Sequence, residues 1–430
     1  MNAKSLSVVA NQQKLGTVTY HKNRLSFRYA PEWQTSSAAF PLSASMPLTR
    51  NKHSHATIEA FLWGLLPDNQ AVMDQWGKQF QVSSRNVFRL IEHVGEDCAG
   101  AIQFISEANE HTLLNQPYSE QVQWFSDGEL NERIRLVLEN HASQRLSNDI
   151  GQFSLAGAQA KIALYQSKIT GSWGIPRGMT PTTHILKPAP PSFPGFVENE
   201  HFCLSLAAAL GITTAHSNVI HADDIPVIVV TRYDRHHTNS QYVRIHQEDF
   251  CQARAIYPDL KYQSDGGPSV EAIANTIWEV SSDALTDIRS FADALLLNFL
   301  IYGTDAHAKN FSLLFASNNQ VRLAPLYDIA SALPYPLQIS PHKARLAMKI
   351  GSAYHIKKIE PRQWQACAMQ LRLPAAVLIE RLHDMTKRLE TLAPTIADDL
   401  RQQGLSHPIV QTLSDSISQR ASKLLSHYFN

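Results

Sequence analysis

The spacing of apolar residues changes along this chain, and that change most constrains its fold. Between about residues 150 and 235, β-rich runs such as KIALYQ, THILKP and VIVVTRYD alternate with loops rich in glycine and proline. Beyond residue 268 the apolar spacing is mostly i, i+3, i+4, which is typical of packed helices. A β-rich region followed by a helical one predicts an α+β protein with two unlike lobes.

A third region precedes these two. From Leu6 to Tyr29 the alternating pattern predicts a small antiparallel meander, and helical patterns follow it. The polar stretch SEANEHTLLNQPYSE then indicates a domain boundary near residue 110. We therefore predict an N-terminal domain over residues 1–110, a β-rich lobe over 111–235 and a helical lobe over 236–430.

The amino-acid composition argues against several classes of protein for this chain, as its charge, cysteines and apolar stretches indicate. Lys and Arg together number 38, as do Asp and Glu, so global charge favours neither nucleic-acid nor membrane binding, although a local basic patch stays open. The cysteines never form a CxxC motif, which predicts neither a zinc site nor a disulfide framework. The most apolar stretch, residues 291–301, is too short to span a bilayer. We predict a cytoplasmic protein with no membrane partner.

The stretch GTDAHAKNFSLL, residues 303–314, has the spacing of a phosphoryl-transfer loop. In protein kinases a catalytic aspartate precedes a metal-binding asparagine by five residues, as Asp305 precedes Asn310. Mg²⁺ binds through one or two carboxylates, and Asp328 follows the second strand of a predicted hairpin that would aim it at Asn310. We therefore predict a catalytic base at Asp305 and metal ligands at Asn310 and Asp328.

Several further residues fit a nucleotide site. His307 and Lys309 share the catalytic loop, and SLAGAQAK is a small-residue turn whose amides can approach a phosphate. Lys187 ends a predicted strand, and Glu198 or Glu200 in the next helix is a candidate partner for it. Each element alone also fits an ordinary turn, cap or helix end. Their order along the chain favours a kinase.

The motifs FSLAGAQAKIAL, THILKP, VENEHF, TRYDR, QEDFCQA, TDAHAKNFSLL and LYDIAS together resemble the HipA family of bacterial toxin kinases. GLLPDN and GEDCAGAIQF resemble that family's N-terminal domain. The resemblance implies a protein-kinase-like two-lobe fold with an additional N-terminal α/β subdomain. It also implies an ATP- and Mg²⁺-dependent serine/threonine-protein kinase, the toxin of a type II toxin–antitoxin system. Its implied target is a translation component such as an aminoacyl-tRNA synthetase, with growth arrest and persistence as the result.

Matching positions give the roles that the resemblance implies. The implied base is Asp305, the implied metal ligands are Asn310 and Asp328, and Ser154 is the implied site of silencing autophosphorylation. The implied nucleotide contacts are Ala156, Gly157, Ala158, Lys161, Lys187, Thr231, Tyr233, Asp234, His307 and Lys309. Two positions depart from the family pattern: Thr231 stands where a glutamate is expected, and Ala306 where a glycine is common.

The resemblance also implies partners, namely a HipB-like helix-turn-helix antitoxin and, mainly through it, operator DNA. The spacing of QEDFCQA suggests no chemistry; it either orders the helical lobe or borders a peptide groove, with Glu248 and Asp249 typical of a helix N-terminus. Two alternatives stay open. A small-molecule kinase would leave Ser154 unmodified, and a silent co-repressor scaffold would have no physical need for intact catalytic residues.

Overall fold

The computed structural model describes residues 3–115, 119–141, 154–157, 159–238 and 241–429. The chain forms two compact units, each assembled from separate segments. The first unit consists of Met1–Pro188, His221–Asp259 and Ser312–Val321. The second unit consists of Ala189–Ile220, Leu260–Phe311 and Arg322–Asn430. The threefold domain division predicted from sequence stays a prediction.

The strands are, in chain order, β1 (Lys4–Ala10), β2 (Gln13–His21), β3 (Arg24–Tyr29), β4 (Lys52–His53), β5 (Ile102–Ser106), β6 (Val122–Trp124), β7 (Ile162–Gln166), β8 (Trp173–Pro176), β9 (His184–Pro188), β10 (Ser217–Ala222), β11 (Ile225–Thr231), β12 (Arg235–His237), β13 (Tyr242–Arg244), β14 (His246–Asp249), β15 (Ser312–Ala316), β16 (Gln320–Leu323), β17 (Arg345–Ile350) and β18 (Ala353–His355).

The helices are α1 (Pro31–Gln34), α2 (His55–Gly64), α3 (Gln70–Gln79), α4 (Val87–Val94), α5 (Glu107–Asn115), α6 (Asp127–Glu139), α7 (Phe196–Ala209), α8 (Phe250–Ala253), α9 (Val270–Val280), α10 (Ala284–Ile301), α11 (Pro361–Leu371), α12 (Ala375–Gln402) and α13 (Ile409–Tyr428). Among the described residues, no helix is both long and apolar enough to cross a membrane.

The N-terminal sheet of the first unit has the strand order β4-β3-β2-β1-β5. Its first three strands form the antiparallel meander that the sequence predicts. Val8, Val18 and Phe27 are fully buried in its core, α2 packs against β3 and α4 against β5. The polar stretch after β5 contains α5, which is fixed to β1 because the Ser5 hydroxyl donates to the Glu107 carboxylate at 2.6 Å.

A second sheet has the strand order β10-β11-β9-β7-β8-β6. It contains the runs that the sequence predicts as strands, KIALYQ in β7, THILKP in β9 and VIVVT in β11. Antiparallel pairing of β9 with β11 sets Lys187 opposite Ile228 and His184 opposite Thr231. The sheet therefore positions Lys187 and Thr231 on neighbouring strands. Thr231 and Tyr233 are the predicted hinge, whose backbone the resemblance implies contacts adenine.

The second unit is mostly helical, as the apolar spacing predicts. Helix α12 packs against α13, α11 and α7, and α10 packs against α9, α12 and α13. Almost every residue of the last two turns of α10 is buried, including Leu296, Phe299 and Ile301. Helix α10 is therefore the central element of this unit, and the chain leaves it directly into the predicted catalytic loop.

Helix α10 ends in a turn that requires a glycine. Tyr302 adopts a left-handed conformation, with φ of 59°, and the Gly303 N–H donates to the Asn298 carbonyl at 2.7 Å. A Cβ atom on residue 303 would lie 2.0 Å from Asn298 Oδ1. Asn298 cannot move away easily, because its side-chain amide donates to the Ala294 carbonyl at 2.8 Å.

Gly303→Ala should therefore destabilise the protein by about 1–3 kcal/mol, the usual range for overpacking. Thermal unfolding of the variant beside the wild type measures the effect. Gly128→Ala is the matched control, because an added Cβ there meets nothing within 4 Å and helix α6 favours alanine. A Gly303→Ala midpoint equal to that of the wild type would contradict the steric requirement.

Candidate active site

The catalytic loop of the second unit is held by its own backbone. The His307 N–H donates to the Asp305 carbonyl at 2.7 Å, and the Asn310 N–H donates to the His307 carbonyl at 2.9 Å. Residues Ala308–Asn310 form one turn of 3₁₀ helix. Asp305 is exposed while Asn310 is buried. The loop thus presents one carboxylate outward on a fixed backbone.

Asn310 joins the two predicted aspartates. Its side-chain Nδ2 donates to the Asp305 carbonyl at 3.3 Å and to the Asp328 carbonyl at 3.2 Å. Asp328 has a left-handed backbone, with φ of 56°, and such a conformation in a non-glycine residue often marks a functional site. The structure brings Asp305, Asn310 and Asp328 together, as the sequence predicts.

The segment after Asp328 is anchored to helix α7. Asn199 makes two hydrogen bonds to Ser331: its side-chain amide donates to the Ser331 carbonyl at 2.8 Å and its Oδ1 accepts from the Ser331 N–H at 2.9 Å. The Ser331 hydroxyl also donates to the Ile301 carbonyl, at 2.6 Å. These bonds fix the chain on the C-terminal side of Asp328 without using the aspartate side chain.

These groups fit a hard divalent cation. Both hydrogen bonds from Asn310 use Nδ2, which leaves the Oδ1 oxygen as the group that can bind a metal. The Asp305 and Asp328 side chains are exposed, and carboxylate and amide oxygens are the ligands that Mg²⁺ takes, together with substrate phosphates. Among the described residues, no group of three or more His, Cys, Asp or Glu side chains could hold a metal alone. Asn310 Oδ1 and the Asp328 carboxylate would supply part of the ligands of such a cation, and the phosphates of a nucleotide would supply others.

Two aromatic residues flank the candidate base. The Tyr262 hydroxyl donates to Asp305 Oδ1, and the Tyr262 ring packs edge-on against His307 at 5.0 Å between centroids. Burial lowers the pKa of His307, and Asp305 only partly offsets this. The lowered pKa favours the neutral form of the His307 imidazole at neutral pH. Tyr262 lies outside every motif recognised in the sequence, so no pattern indicated its contact with Asp305.

The predicted phosphate loop in the first unit is held by N-terminal residues. Ser154 is fully buried, its hydroxyl donates to the Leu65 carbonyl at 2.9 Å, and its N–H donates to the Asp97 carbonyl at 3.1 Å. The Asp68 N–H donates to the Gly157 carbonyl at 3.2 Å. Leu65 and Asp68 belong to the motif GLLPDN, for which the sequence indicated a family resemblance but no role. This motif holds the predicted phosphate loop through its backbone groups.

Lysine 161 closes the same loop. Lys161 Nζ donates to the Ala156 carbonyl at 3.0 Å, and Gly157 has a φ of +99°, where an added Cβ would lie 2.6 Å from that Nζ. Glycine is thus required at position 157. Ala158, predicted as a nucleotide contact, lies outside the described residues.

The other predicted nucleotide contacts lie on different structural elements. Lys187 is buried on β9, whereas Glu198 and Glu200 are buried in the first turns of α7 in the second unit; their pairing stays a prediction. Thr231 ends β11 and Tyr233 follows it. Lys309 is buried in the catalytic loop, where its carbonyl accepts from Tyr327 Oη at 2.7 Å.

Asp234 belongs to a buried ion network, which we call the arginine cluster: Asp97, Arg232, Asp234, Arg235 and Arg244. Arg232 donates to both Asp234 oxygens, at 3.0 and 2.7 Å, and Arg235 and Arg244 each donate to Asp97 at 3.0 Å. The Gly100 N–H also donates to Asp234, at 2.8 Å. Because these bonds engage both Asp234 oxygens, they give the implied nucleotide contact of Asp234 no support, and that contact stays a prediction.

The arginine cluster sets the charge state of its acids. Burial alone would raise the pKa of Asp97, but Arg235, Arg244 and Arg232 together hold it well below its usual range. Every member is buried, so the charges are stabilised by one another rather than by water. Arg232 lies between the predicted hinge residues, and the cluster therefore fixes the hinge to residues near Asp97.

QEDFCQA makes structural contacts in the first unit. Asp249 is the N-cap of α8, as its acidic pair suggests, and accepts from the Cys251 N–H at 2.8 Å. Glu248 accepts from the Ala44 N–H at 2.6 Å, and Gln252 donates to the Phe61 carbonyl at 3.0 Å. The segment therefore holds the loop at Ala44 and the end of helix α2, and the two roles expected for it stay predictions.

An α+β fold with this Asp–Asn spacing and a following aspartate is typical of a kinase. The chain matches the family model for the HipA-like C-terminal domain over residues 153–393 and that for the HipA N-terminal domain over residues 6–105. It therefore belongs to the HipA family, and it is a serine/threonine-protein kinase. Enzymes of this class take the phosphoryl group from ATP.

Individual proteins agree with this assignment. A Sinorhizobium fredii protein named "Putative kinase Y4mE" is 31% identical over 424 residues, covering 98% of both chains. The serine/threonine-protein kinase toxin HipA of Shewanella oneidensis is 28% identical over 384 residues, covering 84% of this chain and 81% of that protein. HipA in the solved complex of Shewanella oneidensis HipA, HipB and operator DNA has the same fold, with a TM-score of 0.82, 24% identity, and coverage of 98% of this chain and 97% of that chain. The predicted α+β, kinase-like fold is confirmed.

Proposed function

We propose that this protein is an ATP- and Mg²⁺-dependent serine/threonine-protein kinase that acts as the toxin of a type II toxin–antitoxin system. The observation that carries the proposal is the pair of hydrogen bonds from Asn310 to the Asp305 and Asp328 carbonyls. One buried amide thereby fixes the backbone of two aspartates whose side chains are exposed, and its own Oδ1 takes part in neither bond. This arrangement supplies the base and the metal ligands that phosphoryl transfer requires.

In the proposed reaction Asp305 accepts the proton from a serine or threonine hydroxyl as that oxygen attacks the γ-phosphorus and the bond to the β-phosphate oxygen breaks. Tyr262 donates to Asp305 Oδ1, which leaves Oδ2 free to take the proton and holds the carboxylate in one orientation. Asn310 Oδ1 and the Asp328 carboxylate would hold Mg²⁺, which neutralises charge on the phosphates. In the first unit, Lys187 contacts the α- and β-phosphates, and the amides near Gly157 approach the phosphate chain.

The remaining nucleotide contacts are proposed on the same basis. Backbone groups of Thr231 and Tyr233 bind adenine, for which the arginine cluster gives a rigid support. His307 lies two residues after the base, and in its neutral form it contacts the ribose side as a hydrogen-bonding imidazole rather than as a cation. Lys309 approaches the transferred phosphate.

Ser154 is proposed to be the site of self-inactivation. Its hydroxyl is buried and bonded to the Leu65 carbonyl, so a phosphate there would break that bond and place about two negative charges in a buried position. The loop would have to leave this position, and the nucleotide would lose its phosphate-binding amides. Phosphorylation of a buried serine also requires the loop to open first, which makes the reaction slow compared with phosphorylation of an exposed one.

The partners are proposed from the relatives. The Shewanella oneidensis HipA structure contains HipB and operator DNA, and we propose a HipB-like antitoxin for this chain, with operator DNA bound mainly through it. We propose an aminoacyl-tRNA synthetase as the target, with growth arrest and persistence as the outcome. A cytoplasmic location follows from these partners.

The test is to incubate the purified protein with ATP and Mg²⁺ and to locate phosphate by intact mass and peptide mass spectrometry. We expect one phosphate on Ser154 in the wild type and none in Asp305→Ala. Ser154→Ala should stay unmodified at that position and keep its activity toward a protein substrate for longer. ATP binding without phosphate on any residue would favour a small-molecule kinase, and absence of ATP binding would favour a silent scaffold.

A further inference from the structure

Residues 260–267 form a turn against the catalytic loop of the second unit. The Gly267 N–H donates to the Tyr262 carbonyl at 3.0 Å, which closes the turn. The Lys261 carbonyl accepts a hydrogen bond from the Ala308 N–H in the catalytic loop, at 3.3 Å. This segment lies outside every motif recognised in the sequence. The backbone of Lys261 is therefore fixed beside the loop that contains the base.

The side chain of Lys261 lies next to groups of the candidate active site. Its Nζ lies over the ring of Tyr262, 5.8 Å from the ring centroid. The hydroxyl on the same ring donates to Asp305 Oδ1, and the ring packs edge-on against His307 at 5.0 Å between centroids. One aromatic ring therefore contacts the lysine, the base and the imidazole, and it places the Lys261 ammonium near the Asp305 carboxylate.

The electrostatic surroundings of His307 agree with this position. Burial lowers the pKa of His307 most strongly. Four charged side chains also act on it, the carboxylates raising the pKa and the lysines lowering it; in decreasing order of effect they are Asp305, Lys261, Asp328 and Lys309. Because electrostatic effects weaken with distance, the Lys261 charge lies within the candidate active site, as the two carboxylates do.

A cation at this position has a use in phosphoryl transfer. The phosphoryl group carries negative charge on three oxygens as it is transferred, and the exposed carboxylates of Asp305 and Asp328 add further negative charge to the site. The catalytic loop itself contains buried Lys309 and His307, whose neutral form is favoured. Lys261 is only half-buried, so part of its side chain is open to a ligand.

We propose that Lys261 is a further catalytic residue, whose ammonium group contacts the phosphoryl group during its transfer and neutralises its negative charge. The inference rests on the proposed function, because it assigns Lys261 to the γ-phosphate of bound ATP. Fixed donors directed at the charge of a transition state are usually the largest contribution to catalysis. The Tyr262 ring, which contacts both Lys261 and Asp305, fixes the cation and the base relative to each other.

Lys261→Met tests the inference, because methionine keeps most of the side-chain length and removes the charge. At saturating ATP and Mg²⁺, the rate of Ser154 phosphorylation should fall at least about tenfold. Loss of one such donor lowers kcat by about 10²–10³-fold, and opening of the Ser154 loop would limit part of the wild-type rate. Lys261→Arg, which keeps a cation at this position, should recover most of the lost rate.

Equilibrium binding separates contact with the phosphoryl group from an effect on Asp305 alone. With Mg²⁺ present, Lys261→Met should bind AMP-PNP, an ATP analogue whose γ-phosphate is not transferred, at least about tenfold more weakly than the wild type. Its affinity for ADP, which has no γ-phosphate, should be unchanged. The matched control is Lys387→Met, the same substitution at an exposed position on α12, which should alter neither affinity nor the rate.

Equal weakening of AMP-PNP and ADP binding would overturn the inference. Wild-type affinity for both nucleotides would also overturn it, whether the rate of Lys261→Met is unchanged or only its pH profile is shifted. If methionine lowers the thermal midpoint, Lys261→Gln gives the same comparison with a polar head group. Absence of phosphate on Ser154 in the wild type would instead contradict the proposed function.

Discussion

Asp305→Asn should lower the kcat for phosphate transfer by about 10³-fold, within the range that general-base catalysis contributes. Asparagine keeps the shape of aspartate, and its side-chain oxygen can still accept the Tyr262 hydroxyl, so the loop should remain folded. What the substitution removes is the basic oxygen that takes the proton. The measurement is the initial rate of phosphorylation at saturating ATP and Mg²⁺.

The control for this variant is Asp399→Asn, the same substitution at an exposed position on α12. It should phosphorylate at the wild-type rate. Equal thermal midpoints for the wild type and both variants would show that the effect is chemical rather than structural. An Asp305→Asn rate within about tenfold of the wild type would contradict the base assignment, since tenfold is less than a general base contributes.

Asp97→Asn should lower the free energy of unfolding of the protein by about 3–5 kcal/mol, the usual result of removing one partner from a buried ion pair. Arg235 and Arg244 each donate to Asp97 and would then lie buried with Asp234 as the remaining acid of the cluster. The phosphorylation rate should fall too, because Arg232 of the same cluster lies between the hinge residues. Chemical denaturation and phosphorylation assays measure the two effects.

Asp223→Asn is the matched control. It removes the same charge from an ion pair with Arg135 at 2.7 Å, in which both side chains are about half exposed. Surface pairs of this kind contribute about 0–1 kcal/mol. Similar losses of unfolding free energy in Asp97→Asn and Asp223→Asn would show that the buried arginine cluster stabilises the protein no more than an exposed ion pair does.

The stability difference between the wild type and Asp97→Asn should depend on pH, because the pKa of Asp97 is lowered in the folded protein. A carboxyl whose pKa is lower in the folded than in the unfolded state stabilises the protein above its unfolded value, about 4, and loses that contribution as the pH falls. The stability difference between wild type and Asp97→Asn should therefore be constant at neutral pH and shrink below about pH 4. A difference that grows with acidity would contradict the ion-pair assignment.

The elements of the fold could be predicted where local pattern decides them. The β1–β3 meander, the strands around Lys187 and the helices after residue 361 follow from alternation and from i, i+3, i+4 spacing. The positions of Asp305, Asn310 and Asp328 could also be predicted, because kinase chemistry fixes the spacing of the first two and the hairpin between Asn310 and Asp328 brings back the third.

Contacts between distant segments could not be predicted. The Ser154 hydroxyl donates to the Leu65 carbonyl. Every residue type has a backbone carbonyl, so the amino-acid sequence does not indicate which one a serine will contact. The resemblance assigns Asp234 to the nucleotide, but a motif gives residue types and not their partners. The Asp234 oxygens accept hydrogen bonds from Arg232 and from the Gly100 N–H, which no pattern indicates, and the nucleotide contact stays a prediction. Tyr262 lies 43 positions before Asp305, and the sequence pattern gave no reason to connect them.

The central claim is that Asp305, Asn310 and Asp328 transfer the γ-phosphate of ATP with the help of Mg²⁺. The most direct test is the transfer of label from γ-labelled ATP to serine or threonine, measured in EDTA and over increasing Mg²⁺, for the wild type and Asp328→Asn. We expect no transfer in EDTA, recovery with added Mg²⁺, and a much higher Mg²⁺ requirement in Asp328→Asn. Undiminished transfer in EDTA, or ATP hydrolysis with no label on serine or threonine, would contradict the claim.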